Sequence, residues 1–172
     1  HLIHAEVQRF VDLLLGSPLY TPYRDEHAMF MAYATSLGSG DLSRQVGAVL
    51  TTEDGVLLAE GCNDAPRFDG GSHWPGNGDQ RDLVLGYDSN ELAKQQMLKT
   101  ILGAGRDDLE RSRIQAAVER SGLLDVTEYG RAVHAEMAAL MAAARQGSST
   151  QRTTLHCTTF PCHNCAKHLV LG

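Results

Sequence analysis

Residues 131–165 read RAVHAEMAALMAAARQGSSTQRTTLHCTTFPCHNC, and the reading of this stretch decides the fold. Its first part, from about Arg131 to Gln146, is rich in the helix formers Ala and Met and closes at Gly147. Thr153 to Thr159 (TTLHCTT) predicts a strand. Pro161 then opens another helix, at a position where a missing N–H is tolerated. Each helix carries a short motif near its start. The first is His134-Ala135-Glu136, the second Pro161-Cys162-His163-Asn164-Cys165, with His134 and Cys162 separated by 28 positions.

A Cys-x-x-Cys pair at a helix start places both sulfurs near one face, where the positive end of the helix dipole favours thiolates. Zinc prefers such sulfur and nitrogen donors. Cys162, Cys165 and a neutral His134 balance its charge and leave a fourth position open for water, whose pKa then falls to roughly 7. His134 and Glu136 are two residues apart and in mid-helix would point in opposite directions. They work together only at a helix end, and Tyr129-Gly130 just upstream fits that placement. Glu136 is then close to the metal without ligating it, placed to accept a proton from the water and hand it on.

Working outward, Leu2, Ile3, Val7, Phe10, Val11 and Leu14 have helical spacing and predict a helix over 2–15. A second helix is expected from about Tyr23 to Leu37, with Met29, Phe30, Tyr33 and Leu37 as its core stripe. Gln45–Thr51 and Val56–Asn63 are apolar runs joined through Asp54-Gly55, the pattern of a hairpin. Residues 64–87 read as a long Gly- and Pro-containing loop, of a length that is usually functional or mobile. Asp88-Ser89-Asn90-Glu91 resembles a capped helix start, and helices are expected from about Asn90 to Leu102 and Asp107 to Arg120. The order predicts an α/β fold, a three-layer α/β/α sandwich with a mixed sheet and a long helical insertion over about 64–130. Residues 1–23 read as an N-terminal helix and linker, and 24–172 as the main domain.

Composition narrows the function. The 172 residues carry 15 basic and 21 acidic side chains, a formal charge of −6, with no block of Lys or Arg. A nucleic-acid partner would call for a basic stripe, so a free nucleotide fits better. No apolar run approaches the roughly 18–20 residues of a membrane span. Three of the four cysteines (Cys157, Cys162, Cys165, with Cys62 apart) fall within nine residues, which reads as metal binding in a reducing, cytoplasmic compartment rather than a disulfide framework. The chain begins at His1 rather than Met and ends just after a helix opens, so residues are expected beyond both ends, the C-terminal part of the fold among them.

His-x-Glu followed by Pro-Cys-x-x-Cys is the zinc-deaminase signature, and from about residue 24 onward the chain resembles the cytidine/deoxycytidylate deaminase superfamily. Ser43-Arg44-Gln45-Val46-Gly47-Ala48 is similar to that family's first strand. Gly61-Cys62-Asn63-Asp64-Ala65-Pro66 is similar to its Gly-Tyr-Asn-Gly-x-Pro segment, with Cys62 and Asp64 departing from it. The resemblance implies Zn2+ as cofactor on His134, Cys162 and Cys165, hydrolytic attack at C4 of cytosine, and Glu136 protonating N3 and then the departing amine. It implies Asn63 on the nucleoside sugar and the Ala135 N–H on the pyrimidine carbonyl. Arg44 is the expected phosphate contact. The long stretch before His134 is similar to the deoxycytidylate branch, so dCMP or dCTP is the expected substrate. With no cysteine and only His73 over 64–130, the second zinc that some of those enzymes carry is not expected. Asp41 to Gly47 and Gly86 to Asn90 are similar to bacterial deoxycytidylate deaminase domains fused to an upstream P-loop kinase-like domain and implicated in antiphage defence. A homo-oligomer and a nucleotide effector are further implications of the family.

Other readings stand beside this one. Cys157, Cys162, Cys165 and His168 or His156 would supply four ligands to a purely structural zinc, leaving His134-Ala135-Glu136 without a role. An alternative substrate is a base in RNA or single-stranded DNA, against which the acidic balance argues, and an alternative role is a non-catalytic, zinc-stabilised nucleotide sensor, which the intact Glu136 disfavours. His73-Trp74 is either loop packing or a lid over the base. Asp79 to Asp82 is either a solvated turn or part of a pocket.

Overall fold

Strand β1 (Gly47–Thr52) is buried almost end to end, because both of its faces carry helices. Ala48 and Leu50 pack on one side with Ala135, Ala139, Leu140 and Ala143, while Val49 packs on the other with Ala28 and Ala32. A strand buried on both faces has to be central. β2 (Leu57–Cys62) and β3 (Thr153–Cys157) flank it in the order β2-β1-β3. The helices, in chain order, are α1 (Leu2–Leu14), α2 (Arg24–Ser36), the short α3 (Asp82–Leu85), α4 (Ser89–Gly103), α5 (Asp108–Ser121), α6 (Ala135–Arg145) and α7 (His163–Leu171). The computed structural model describes residues 2–125 and 129–172; the side chain of Leu2 and residues 126–128 of the insertion lie outside the described residues.

The α/β/α layering matches the expectation from sequence: α2 covers one face of the sheet and α6 the other. The sheet itself differs from the mixed one expected, since both described pairings are antiparallel. The reason is topological. β2 and β3 each run against β1, so they run in the same direction and α6 lies on the connection between them. β1 occupies the place between them, and the parallel relation is present without a parallel pair.

The expected core stripe of α2 is corrected. Met29, Phe30, Tyr33 and Leu37 are exposed, and Ala28, Ala32 and Ser36 are buried in their place. Close approach explains this. A Cβ on Gly47 would stand 2.0 Å from the Ala32 carbonyl oxygen, so the helix backbone lies almost on the strand and only small residues fit between. The opposite face uses the same device. A Cβ on Gly61 would stand 2.4 Å from the Ala139 nitrogen and 2.6 Å from the Ala138 Cβ.

α1 is fastened to the start of α2 by Arg9, whose Nη1 donates to Glu26 Oε1 at 2.6 Å and whose guanidinium lies 3.9 Å from the Tyr23 ring centroid. In the insertion, Asp88 and Asp107 cap α4 and α5 with their carboxylates, and Gly122 ends α5 in the left-handed conformation. α6 begins at Ala135 rather than near Arg131, because Val133 is bridged to Asp64 through two backbone hydrogen bonds (2.8 and 3.3 Å).

Two outcomes are expected. Gly61→Ala should lower stability by about 1–3 kcal/mol, the usual cost of overpacking, read as a reduced urea midpoint. Gly103→Ala, where the space around the Cβ is open, should not lower it. The second concerns pH. The hydrogen bond from Arg9, then the Tyr23 N–H, holds the Glu26 carboxyl down to about 2 from an ordinary 4.5. A depressed carboxylate stabilises the α1–α2 contact above its ordinary pKa and loses that contribution as pH falls toward 2. Amide NMR shifts of α1 should therefore change between pH 4.5 and 2, and Glu26→Gln should abolish the transition.

Candidate metal centre and its cavity

Two helix starts meet at one point. His134 is the N-cap of α6 and Cys162 the N-cap of α7, each in extended conformation, and both helices aim their positive ends at the same place. His134 Nδ1 lies 3.4 Å from Cys162 Sγ and 3.3 Å from Cys165 Sγ. The three ligand atoms all lie within 4.8 Å of one another, and no other such group of His, Cys, Asp or Glu occurs among the described residues. Zinc bonds of roughly 2.0–2.1 Å to nitrogen and 2.3 Å to sulfur put tetrahedral neighbours about 3.5 Å apart, so the spacing suits one shared ion. The closed four-ligand alternative is not assembled: Cys157, His156 and His168 are not part of the cluster.

The charges also fit a cation. Cys165 is 2% exposed. Burial pushes its thiol up, and the charge of Glu136 and the neighbouring Cys162 push it further. Glu136, itself 3% exposed, is in the first turn of α6 within hydrogen-bonding reach of the Cys165 sulfur. Crowding two sulfurs and a carboxylate in low dielectric is unfavourable unless a positive ion offsets them. The Cys162 sulfur in turn accepts the Cys165 N–H at 3.4 Å, which fixes its rotamer.

His134 and Cys162 of this cluster line a cavity of about 290 Å³. Ala135 and Glu136 line it from α6, Val46 and Asn63 from the ends of β1 and β2, and Thr159 and Phe160 from the loop before α7. Arg44 reaches it from the loop before β1, with Nη1 3.4 Å from Thr159 Oγ1. Asn63 has a further task. Its Oδ1 accepts from Val46 N (2.7 Å) and Ser39 Oγ (3.0 Å), and its Nδ2 donates to the Arg44 carbonyl (2.8 Å), so it shapes the wall that carries Arg44. All the site residues expected from sequence thus line one cavity or adjoin it.

The insertion supplies further wall through Asp82 and Asp88, joined by Arg131 just beyond it; of these the sequence offers only Asp82 as part of a pocket. The one available signal was the Asp79–Asp82 run, which divides in two. Asp79 and Arg81 form a buried ion pair at 2.7 Å, which holds the Asp79 carboxyl down to about 2, while Asp82 faces the cavity. His73 is placed elsewhere, in a second hollow with Cys62, Asp64, Arg67 and Arg145, and Trp74 is exposed, so neither covers the metal cluster.

Residues 22–171 match the model of the cytidine and deoxycytidylate deaminase zinc-binding region. The deoxycytidylate deaminase of Enterobacteria phage T4 is 27% identical over 137 residues, an alignment covering 80% of this chain and 67% of that protein. The crystal structure of dCMP deaminase from the cyanophage S-TIM5 in apo form covers 88% of this chain and 78% of its own, at 20% identity and a TM-score of 0.49. With the family model matched by residues 22–171 and the His/Cys/Cys cluster assembled, the chain belongs to the cytidine and deoxycytidylate deaminase family and is a zinc-dependent deaminase.

Proposed function

We propose that the protein hydrolyses the 4-amino group of a deoxycytidine nucleotide, dCMP or dCTP, releasing ammonia and the deoxyuridine nucleotide. The observation that carries this reading is the shared cavity, with His134, Cys162 and buried Glu136 at its floor and Arg44 at its wall. His134, Cys162 and Cys165 hold the zinc, which when bound lowers the pKa of water at its open position to roughly 7. Glu136 would carry two protons in turn, the first from the water to N3 and the second from the hydroxyl added at C4 to the amine, which leaves as ammonia. Its burial in the first turn of α6 keeps it beside the reacting atoms and away from bulk solvent. Ala135 offers its N–H to the pyrimidine carbonyl, in keeping with a first-turn donor that has no intrahelical acceptor. Asn63 turns its remaining amide hydrogen to the sugar, and Arg44 binds phosphate.

Residues 24–172 act as the deaminase domain, with 64–130 as an insertion that closes the cavity. The similarity of the 41–47 and 86–90 segments to fused bacterial deaminase domains supports a role in draining deoxycytidine nucleotides during phage infection. An upstream P-loop kinase-like domain, a homo-oligomer and a nucleotide effector accompany that role. The nucleotide substrate would be met in the cytoplasm; among the described residues no helix is long and apolar enough to cross a membrane.

Ammonia release from deoxycytidine, dCMP, dCTP and a cytosine-containing oligonucleotide tests the reading directly. Activity is expected on dCMP or dCTP, abolished by a zinc chelator and restored by zinc. Turnover of the oligonucleotide alone would overturn it. Glu136→Ala should reduce kcat by roughly 10²–10⁴-fold while the protein keeps one zinc per chain. Arg44→Gln should raise KM for the phosphorylated substrates and leave deoxycytidine unaffected; an equal effect on all three would remove Arg44 from phosphate binding.

A further inference from the structure

The strap of residues 131–133 leads directly into His134, and its position is set from two sides. Val133 is bridged to Asp64 on one side. On the other, Arg131 donates from Nε to Asp82 Oδ1 at 3.1 Å, makes a second, shorter contact from Nη2 to the same oxygen, and reaches the Gln80 carbonyl from Nη2 at 2.8 Å. Asp82 is itself held firmly. It opens α3, which is fixed to the loop before β1 by Leu83 N donating to the Gly40 carbonyl (3.0 Å) and Arg81 Nη1 donating to the Gly38 carbonyl (3.1 Å). Arg81 is braced by Asp79 and packs so tightly on Gly40 that a Cβ there would meet the Arg81 side chain at 2.7 Å. Asp82 is 8% exposed, and both members of its ion pair line the catalytic cavity.

A buried carboxylate braced on one side of a cavity and an arginine three residues before a metal-ligand histidine make a lever of fixed length. We propose that the Asp82–Arg131 pair is a positioning device for the deamination reaction: through the 131–133 strap it fixes where the His134 imidazole and, one residue beyond Ala135, the Glu136 carboxylate stand relative to Cys162 and Cys165. The insertion contributes to the chemistry in this way without touching the reacting atoms. The inference rests on the zinc-deaminase reading above, but acts on the geometry of the donors rather than on substrate identity. Supports of metal ligands typically matter by 10–100-fold in affinity or activity when removed.

The test uses Asp82→Asn, Arg131→Lys and the exchange of the two residues, Asp82→Arg with Arg131→Asp. Two readouts are taken on each: kcat and KM for the best nucleotide substrate, and the visible absorption spectrum of the cobalt-substituted protein. Asp82→Asn is expected to lower kcat by roughly 10–100-fold with KM changed by less than about threefold, and to alter the cobalt ligand-field bands. Arg131→Lys, which keeps the charge but loses the forked geometry, should show the same effect more weakly, and the exchanged pair should recover part of kcat. A rise in KM with kcat unchanged would make Arg131 a substrate-binding residue and overturn the proposal. An unchanged cobalt spectrum in Asp82→Asn would overturn it as well. A fall in thermal stability with neither kcat nor the spectrum altered would reduce the pair to a structural bolt. Should the wild-type protein release no ammonia from any nucleotide, the substrate reading fails, while the cobalt spectra still decide the positioning.

Discussion

The structure depends on one electrostatic constraint: an imidazole and two sulfurs within contact of one another, with a buried carboxylate beside them. No hydrophobic arrangement would bring these groups together, and burial raises the Cys165 thiol rather than making it an easy anion. A divalent cation reconciles the set, and the fold delivers it by starting two helices at one point. β3 carries the chain from the end of α6 back past β1, so that Cys162 at the head of α7 meets His134 at the head of α6. Both helix dipoles then favour the thiolates that the ion requires.

Placing α6 so near the sheet has consequences for composition. Gly61 and the alanines of α6 let helix and strand approach within backbone distance, and Gly47 with Ala28, Ala32 and Ser36 does the same on the other face. The contact surfaces are accordingly built from small residues, with Ala32, Ala48, Ala135, Ala139 and Ala143 all fully buried. Close backbone packing gives rigidity at low side-chain volume, which suits a sheet whose task is to fix the origin of two helices.

These features explain what the sequence disclosed. His134, Glu136, Cys162 and Cys165 were legible because ligand chemistry imposes residue types at fixed local spacing, and element ends were legible from caps such as Asp88 and Gly122. The face of α2 was misread for a physical reason. Helical periodicity assigns large apolar side chains to the core, whereas the close approach at Gly47 admits only Ala and Ser, leaving Met29, Phe30, Tyr33 and Leu37 outside. The β1–β2 hairpin was legible from Asp54-Gly55, whereas the antiparallel β1–β3 pairing was hidden because sequence order reveals strands but not which strand lies between which. The roles of Asp82 and Arg131 were invisible for the same reason: they are 49 residues apart and each is an ordinary charged residue until the fold joins them.

That pairing changes how the insertion should be understood. Its helices α4 and α5 bury very little: no residue of α4 is buried, and in α5 only Val118 is. They therefore contribute little to the core. The segment just before them, 79–83, is bolted to the loop that leads to Arg44 and grips the strap that leads to His134. It joins the two walls of the cavity, one carrying a cation and the other the metal-binding imidazole. An insertion that added only bulk would be expected to attach through apolar surface. This one attaches through the Asp82–Arg131 ion pair and the Arg81 hydrogen bond to the Gly38 carbonyl, both directional, the form of attachment suited to setting a distance rather than filling a space.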